Sequence, residues 1–397
     1  ETLRRLRGDE SLEAPPHRLL GAVSGFDLNP LAVLASRVNL YLATMDLLQE
    51  LETPTTLDVH CVDSVAGEPP ILGEFDLVIG NPPWINWQNL DDAYRSELGD
   101  AWERYGLFVH EGFETILGKG KKEFATLFTA AVADRYLRDG GTLGFLITQG
   151  VWKSAGASEG FRRLDFGGRF DLSVERVEDF SAFEVFDGAT TRATYFVARK
   201  SSSTDFPVPY TYWQRLDRRA RLDSSGTMED VREHARPLEL AAEPYAEGRP
   251  ESPWLTARPE ALDALRRTVG EAAYTGHQGV NTGGGNAIYW VRVLEEVEDG
   301  LLRVENITKG AKRKVPQREA ILEETFVFPL VRGRDVDRWN AEGDRHVIMV
   351  QDPEGRRGWD EEELREIAPR TFDYLSEYEE QLRSRSLFGR YFTRGGE

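Results

Sequence analysis

The sequence predicts an α/β fold with a mostly parallel sheet and helices on both faces. Two observations indicate this class. Apolar strand candidates alternate with helix candidates through the first half of the chain, and strands separated by helices need right-handed crossovers, which pair them in parallel. Several strand candidates also end at Asp or Asn, and ligands of such sheets bind beyond the carboxyl ends of the strands.

The elements follow one another in a regular order. The strand candidates, in chain order, are GAVSGFD, TLDVHCV, FDLVIG, TLGFLIT, LSVERVEDF and ATYFVARK. A first helix is predicted after Pro30, because apolar residues recur there at helical spacing. These are Leu31, Leu34, Val38, Tyr41, Leu42 and Met45. A second helix is predicted over FATLFTAAVADRYLRDGG, with the glycines as its stop signal.

Length and composition limit the class of protein. The chain has 397 residues, of which 40% are hydrophobic, which is enough for two or three globular domains. It shows neither a signal segment nor an apolar run of the roughly 20 residues that a membrane helix needs. We therefore predict a cytoplasmic protein. Cys61 is the single cysteine, so disulfides within the chain and cysteine-rich zinc sites are excluded, and no metal site is predicted.

The net charge of −19 argues at first against a polyanionic partner. The acids are spread along the whole chain, however, and arginine outnumbers lysine. Such a pattern resembles the solvated acidic surfaces of proteins from salt-loving organisms. Local basic clusters then carry more information about a partner than the total charge does.

The segment FDLVIGNPPW is the most informative part of the sequence. Proline has no backbone donor and a fixed φ, so Asn-Pro-Pro ends the strand in a rigid platform. The side-chain oxygen of Asn81 and the carbonyl oxygen of Pro82, held by Pro83, could accept hydrogen bonds from both hydrogens of an aromatic amine. The lone pair of the nitrogen would then face an incoming methyl group. Trp84 offers a flat face for an unstacked base. A simple turn after a strand is the alternative.

Two acids at strand ends are candidates for holding a nucleoside. Asp27 could accept hydrogen bonds from both ribose hydroxyls, as the carboxylate of dinucleotide-binding folds does, with Leu28 packed on the adenine ring. Asp63 could accept from the exocyclic amine of the same nucleoside, and Asn81 ends a strand at the same edge. The alternative is that each Asp only caps the following helix.

This arrangement resembles S-adenosylmethionine-dependent amino-methyltransferases, and especially N6-adenine DNA methyltransferases of restriction-modification systems, whose fourth motif is Asn-Pro-Pro-aromatic. GFDLNPLAVLASRVNL is similar to their second motif, VHCVDS to the third, and LFTAAVADRYLRDGGTLGFLIT to the fifth and sixth. FEVFDGATTRATYFV is similar to the eighth, which implies that Phe186 lines the base pocket. The resemblance implies a Rossmann-like core that binds S-adenosylmethionine and methylates double-stranded DNA.

The second half of the chain has a different character. We predict a catalytic domain over residues 1–200, a Ser- and Pro-rich connector over 201–250, and a mixed α+β region over 251–397. The last region resembles the DNA target-recognition domains of type I and type IIG enzymes, where a glycine-bearing hairpin precedes a G-x-D-x-x-x-W/Y stretch. LDALRRTVG and the segments after it suggest short strands and turns. Gly283 to Gly285 predict a turn, because no helix with Lys-Ser or Lys-Thr follows as in a phosphate-binding loop.

Basic residues concentrate in the same half, which predicts contacts to DNA phosphates or guanine edges. A solvated charged face is the alternative. The residues are Lys309, Lys312, Arg313, Lys314 and Arg318, followed by Arg332, Arg334 and Arg338.

One motif of the family is missing. Its glycine-rich first motif would precede the strand of Asp27, but residues 1–20 contain no such turn. We therefore expect the resemblance to lack its N-terminal part, and this chain alone to bind S-adenosylmethionine weakly. A restriction or specificity subunit is a possible partner. The rival hypotheses are a methyltransferase acting on a protein glutamine amide or an RNA base, and a DNA-recognition module without activity.

Overall fold

The computed structural model divides the chain into two compact units, Glu1–Glu271 and Ala272–Glu397. It describes residues 20–49, 57–68, 75–107, 123–156, 158–186, 191–200, 202–217, 228–270, 273–274, 276, 279–297, 299–311, 315–352 and 357–384. Within these ranges, the longest apolar helix falls short of what a bilayer crossing requires.

The first unit contains two sheets. Strands β1 and β2 pair in parallel and form a sheet of their own. The other strands form a seven-stranded sheet in the order β3-β4-β6-β5-β7-β8-β9. The bounds are β1 Gly25–Asp27, β2 Val59–Cys61, β3 Phe75–Gly80, β4 Leu137–Thr148, β5 Leu172–Asp179, β6 Ala193–Lys200, β7 Val208–Arg215, β8 Ala235–Pro244 and β9 Trp254–Ala257.

The seven-stranded sheet is mixed, so the α/β class is confirmed but the prediction of a mostly parallel sheet is wrong. Only β3–β4 and β5–β7 pair in parallel. The pairs β4–β6, β6–β5, β7–β8 and β8–β9 are antiparallel. The reason is that β6 enters between β4 and β5 and pairs with both in the opposite direction.

The first unit also contains nine of the helices found among the described residues. Their bounds are α1 Pro30–Ala43, α2 Met45–Gln49, α3 Asp92–Glu97, α4 Ala101–Arg104, α5 Phe124–Tyr136, α6 Gly150–Lys153, α7 Glu159–Arg162, α8 Met228–His234 and α9 Pro259–Arg266. Helix α9 covers part of LDALRRTVG, so the prediction of strands and turns there is wrong.

Helix α1 forms where its apolar spacing predicts it, but the apolar face is not buried. Leu31 is 73% exposed and Leu42 is 63% exposed, whereas Val33 is buried. Leu34, Val38, Tyr41 and Met45 are exposed as well. Helical periodicity therefore identified the element correctly, although the described residues do not cover this face.

Helix α5 is the most deeply buried helix of the first unit, with most of its side chains in the core. It ends at Tyr136, before the predicted glycine stop, and β4 begins at Leu137. Lys200 explains the early end. Its Nζ donates to the carbonyl oxygens of Ala133 at 2.9 Å and Leu137 at 2.8 Å, so it satisfies carbonyls that the helix end leaves unpaired.

The predicted connector is part of the first unit. Strands β7 and β8 lie within residues 201–250 and extend the seven-stranded sheet. The division between the units falls at residue 271, so the predicted boundaries at 200 and 250 differ from those of the structure. Strand β7, VPYTYWQR, buries Val208, Tyr210 and Trp213, with more exposed residues between them.

The second unit is built on a five-stranded antiparallel sheet in the order β12-β11-β10-β16-β13. Three helices near its C-terminal end contribute to its core, which includes Val304, Leu322 and Tyr374. The bounds are α10 Asn286–Tyr289, β10 Trp290–Val297, β11 Leu301–Asn306, β12 Glu319–Glu323, β13 Val327–Leu330, β14 Val336–Asp337, β15 Asn340–Ala341, β16 Arg345–Ile348, β17 Gln351–Asp352, β18 Arg357–Gly358, α11 Glu361–Ile367, α12 Pro369–Ser376 and α13 Glu379–Arg383.

We expect Lys200→Met to lower the free energy of unfolding by about 2 kcal/mol, because the carbonyls at the end of α5 would lose a charged donor. Urea denaturation followed by circular dichroism measures the change. Arg199→Met is the matched control, since Arg199 is the preceding residue on β6 and pairs with Glu175 at the surface. Equal denaturation midpoints for the two variants would contradict this role of Lys200.

Candidate active site

The platform after β3 leaves Asn81 available to a ligand. Strand β3 ends at Gly80, and Asn81 is exposed while Pro82 is buried. Within the described part of the chain, the Asn81 amide makes no hydrogen bond. The indole of Trp84 is held in place, because its Nε1 donates to the carbonyl oxygen of Leu146 on β4 at 3.2 Å. A free amide thus lies three residues from a fixed aromatic ring.

Phe186 lies against Trp84. The two ring centroids are 5.5 Å apart and the planes are inclined by 74°, which is an edge-to-face contact. Phe186 is 38% exposed. The pair joins residues 102 positions apart in the sequence, and it forms an aromatic corner open to solvent.

Glu123 is a member of this region that sequence reasoning missed. Its backbone forms a β-bridge with Asn86, and its side-chain Oε2 accepts a hydrogen bond from Thr148 Oγ1 at 2.8 Å. The N–H of Phe124 also donates to the carbonyl oxygen of Ile85 at 3.0 Å. Burial raises the pKa of the Glu123 carboxyl. The available sequence signal was an acid directly before the apolar helix α5.

Asp27 and Asp63 lie at the carboxyl ends of neighbouring parallel strands. Asp27 is opposite Cys61, the last residue of β2, and Asp63 follows two residues later. Asp27 Oδ1 accepts from the Asn29 N–H at 2.7 Å. Asp63 Oδ1 accepts from the N–H groups of Val65 at 2.7 Å and Ala66 at 3.0 Å. One oxygen of each acid therefore bonds the local backbone, but Asp27 is not the cap of α1, because that helix is capped by Asn29. Leu28 beside Asp27 is 67% exposed.

Helix α5 connects the loop of Asp63 to the strand of the platform. Tyr136 Oη donates to the carbonyl oxygen of Ser64 at 3.0 Å, and Arg135 donates to the carbonyl oxygens of Val65 and Gly67. The Phe26 ring of β1 contacts the ring of Tyr136 at 5.1 Å between centroids and that of Phe75 at 6.4 Å.

Tyr94 is a second neighbour of Asp63. Burial is the main cause that raises the pKa of the Tyr94 hydroxyl, and the Asp63 carboxylate raises it further. Tyr94 stays protonated at neutral pH and is a potential donor to the acid.

The predicted DNA-contacting residues of the second unit divide into two groups. Arg332 is bound to Asp335, with Nε at 2.6 Å and Nη2 at 2.5 Å from the carboxylate oxygens, and its side chain is only 15% exposed. Arg318 pairs with Glu377. Arg334 and Arg338 are exposed. Lys312, Arg313 and Lys314 lie outside the described residues. The structure thus favours Arg334 over Arg332 as a group that can reach a ligand.

The glycine triplet forms the predicted turn. Gly283 and Gly284 have φ values of +60° and +87°, which favour glycine, and the Gly283 N–H donates to Asn281 Oδ1 at 2.9 Å. The described residues bring together no group of three or more His, Cys, Asp or Glu side chains that could hold a metal ion.

Residues 22–186 match the family model described as Eco57I restriction-modification methylase. This segment is similar to restriction-modification methylases. The match contains both acids, the Asn-Pro-Pro-Trp platform, Glu123 and Phe186. No curated protein matched the sequence.

Several solved structures are similar to this chain at low identity. The ATP-dependent Type ISP restriction-modification enzyme LlaBIII bound to DNA has 11% identity and a TM-score of 0.40, over 64% of this chain and 19% of that one. A modification subunit of a putative type I restriction enzyme from Vibrio vulnificus YJ016 has 15% identity and a TM-score of 0.37, over 61% and 49%. A type I methyltransferase subunit from Streptococcus thermophilus has 16% identity and a TM-score of 0.32, over 53% and 40%. The chain thus spans less than half of each of these proteins, and TM-scores this low support no functional conclusion.

We expect Glu123→Gln to stabilise the fold increasingly as the pH rises above about 4.5. Burial raises the folded-state pKa of Glu123 above the value in the unfolded chain. The free energy of unfolding of the parental protein therefore falls as the pH rises from about 4.5 to the folded-state pKa, because the buried carboxyl then becomes charged. Glutamine stays neutral and keeps an acceptor for Thr148. The stability difference should approach about 1.4 kcal/mol for each unit of pKa shift.

Urea denaturation at pH 4.5, 6 and 7.5 measures this difference. Glu103→Gln, at an exposed position of α4, is the control and should show no such trend. A difference that stays constant over the three pH values would mean that the Glu123 carboxyl is not destabilised by burial.

Proposed function

We propose that this chain transfers a methyl group from S-adenosylmethionine to the N6 amine of an adenine turned out of duplex DNA, in a restriction-modification or phage-defence system. The exposed, unengaged Asn81 amide beside the fixed indole of Trp84 carries the proposal. The family match to residues 22–186 supports a DNA methylase. The choice of adenine rests on the resemblance of the platform to N6-adenine enzymes.

The platform addresses the main difficulty of this reaction. The lone pair of an aromatic amine is delocalised into the ring, which makes the nitrogen a poor nucleophile. Asn81 Oδ1 and the carbonyl oxygen of Pro82 would each accept one amine hydrogen, which favours a pyramidal nitrogen with its lone pair toward the methyl donor. Pro83 keeps the two acceptors rigid, so they need no reorganisation during the reaction. The nitrogen would form a bond to the methyl carbon as the bond from that carbon to the donor's sulfur breaks and leaves a neutral thioether, and the cationic nitrogen would then release one proton to water.

Trp84 and Phe186 would hold the extruded base. Stacking on an aromatic side chain contributes about 1 to 3 kcal/mol per base, which offsets an unstacking cost of a few kcal/mol. The bond from Trp84 Nε1 to Leu146 fixes the plane of the indole before the base arrives. The corner is therefore preorganised for a flat ring.

The two acids at the ends of β1 and β2 fit the nucleoside of the cofactor. Each Asp uses Oδ1 for the local backbone, and a carboxylate has further acceptor positions for ribose hydroxyls or an exocyclic amine. Exposed Leu28 would pack on the adenine ring. S-adenosylmethionine supplies an electrophilic methyl group when bound.

The second unit would recognise the DNA sequence. Arg334 and Arg338 are exposed and able to contact phosphates or guanine edges. The lysine cluster at 312–314 would add phosphate contacts. A restriction or specificity subunit is the protein partner that we propose, in line with the type I assemblies to which modification subunits belong by name.

In single-turnover reactions at saturating S-adenosylmethionine, we expect Asn81→Ala to lower the rate of DNA methylation by about 100-fold or more, because only one of the two preorganised acceptors remains. Affinity for DNA and for S-adenosylmethionine should change little, since Asn81 acts mainly in the transition state. Trp84→Ala should instead weaken capture of the base, and a mismatch at the target should partly restore its rate by making flipping easier.

Asn89→Ala, an exposed amide on the same loop, is the control and should methylate at the parental rate. Analysis of the modified bases after the reaction identifies N6-methyladenine. Methylation of RNA or of a glutamine amide in place of DNA, or an Asn81→Ala rate equal to the parental rate, would refute the proposal.

For the DNA-binding surface, we expect that replacing Lys312, Arg313 and Lys314 together by alanine weakens binding to all sequences. The slope of log K against log salt should flatten by about 0.9 for each phosphate that the protein no longer neutralises. Fluorescence anisotropy over a range of salt concentrations measures it. Arg318→Ala is the control with little expected effect, because Arg318 is already paired with Glu377. An unchanged slope in the triple variant would leave the cluster as a solvated surface.

A further inference from the structure

A buried carboxylate stands at the end of β5, next to the segment that leads to Phe186. Asp179 is 2% exposed. Its Oδ1 accepts from the Ser181 N–H at 2.8 Å. Its Oδ2 accepts from Gln149 Nε2 at 2.8 Å and from Tyr210 Oη at 2.5 Å. Both oxygens are therefore engaged, as the burial of a carboxylate requires.

These bonds connect three parts of the first unit. Gln149 directly follows β4, and its backbone N–H donates to the carbonyl oxygen of Arg192 at 2.9 Å. Its Nε2 also donates to Ser181 Oγ at 3.0 Å. Tyr210 belongs to β7. Asp179 thus ties the start of the segment 180–186 to β4 on one side and to β7 on the other.

The segment itself is well packed up to Phe183. The Phe180 N–H donates to the carbonyl oxygen of Ala193 at 3.0 Å, and the Phe183 N–H donates to that of Phe180 at 2.8 Å. Phe183 is buried in a cluster with Trp213 and Ala235. Three residues later, Phe186 meets Trp84. The contacts at 179–183 therefore limit the positions that Phe186, three residues later, can occupy.

Lys153 supplies a positive charge near the carboxylate. Its Nζ lies 4.8 Å from the centre of the Tyr210 ring and donates to Thr256 Oγ1. Burial lowers the pKa of Lys153 to about 8, and Asp179 acts in the opposite direction. Apolar residues of similar volume often stabilise a core as well as such charged groups do. The network is therefore better explained by the geometry it imposes than by stability.

We propose that Asp179 is a positioning residue of the base pocket, which fixes the segment 180–186 and so holds Phe186 against Trp84. This rests on the proposed function, in which the two rings receive the extruded base. Both rings then take their position from the end of β4, Trp84 through the carbonyl of Leu146 and Phe186 through Gln149 and Asp179. Asp179 touches neither base nor cofactor in this arrangement.

The first measurement uses the protein alone. In protein labelled with 5-fluorotryptophan, the ¹⁹F resonance of Trp84 is assigned by its absence in Trp84→Phe, and the edge-on ring of Phe186 shifts it. Asp179→Ala should move this resonance toward its position in Phe186→Ala. Tyr210→Phe, which removes one of the bonds to Asp179, should move it part of the way. Glu175→Gln, which removes an exposed carboxylate of the same strand, should leave it in place.

The second measurement is single-turnover methylation of duplex DNA, with 2-aminopurine at the target to report flipping. Asp179→Ala should lower the rate and the flipping signal by about tenfold, as expected when charge-assisted hydrogen bonds are removed. Affinity for S-adenosylmethionine and for nonspecific duplex should stay at the parental value. Asp179→Asn keeps acceptor capacity and should recover part of the rate.

The outcomes separate the two proposals. An unmoved Trp84 resonance in folded Asp179→Ala would overturn the positioning role whatever the activity, because Asp179 would then serve stability alone. If Asp179→Ala does not fold, an unmoved resonance in Tyr210→Phe overturns it equally. If the resonance moves as expected but the parental protein methylates no DNA at saturating S-adenosylmethionine, the positioning role stands and the proposed function fails.

Discussion

The parallel pairing of β3 with β4 is the constraint on which the site depends. In this register Gly80 stands opposite Phe145, and a side chain at Gly80 would meet the Phe145 ring at 3.3 Å. The platform therefore begins beside a position three residues before the end of β4. Over those residues and the one that follows, β4 offers a carbonyl to Trp84, a hydroxyl to Glu123 and an amide to Asp179. A shift of register by one residue would separate all three partners from the platform.

Local signals in the sequence were enough to identify α1, α5 and the strands β1 to β6, but not α9. The effect of Asn-Pro-Pro-Trp on the backbone can be predicted without knowing its tertiary contacts, because two consecutive prolines end a central strand. Phe186 became a candidate for the base pocket only through a family resemblance, and its contact with Trp84 was not predicted. Glu123 and Asp179 were missed because their hydrogen-bond partners are distant in the sequence. Among 68 acidic residues, the neighbouring sequence does not indicate which carboxylates are buried.

The direction of the strands in the large sheet was also predicted incorrectly. Periodicity identified β5 and β6 as strands, but it does not report which neighbour each one pairs with. The insertion of β6 between β4 and β5 is a property of the whole sheet. The apolar face of α1 shows the same limit, since spacing predicts a face and only the surrounding chain decides whether it is covered. For the basic residues, counting charges in the sequence did not reveal that Arg332 is already neutralised by Asp335.

The cap that Lys200 provides for α5 has a consequence for synthesis of the chain. The helix ends at Tyr136. The lysine that donates to a carbonyl oxygen in its last turn is synthesised 64 residues later. Strand β6, which carries this lysine, is also the partner that covers the second edge of β4. We expect the nascent chain to hold an open strand edge and a frayed helix until this point. Truncations that end between β4 and β6 would keep that unfinished state permanently, which makes them poor starting points for studying the platform in isolation.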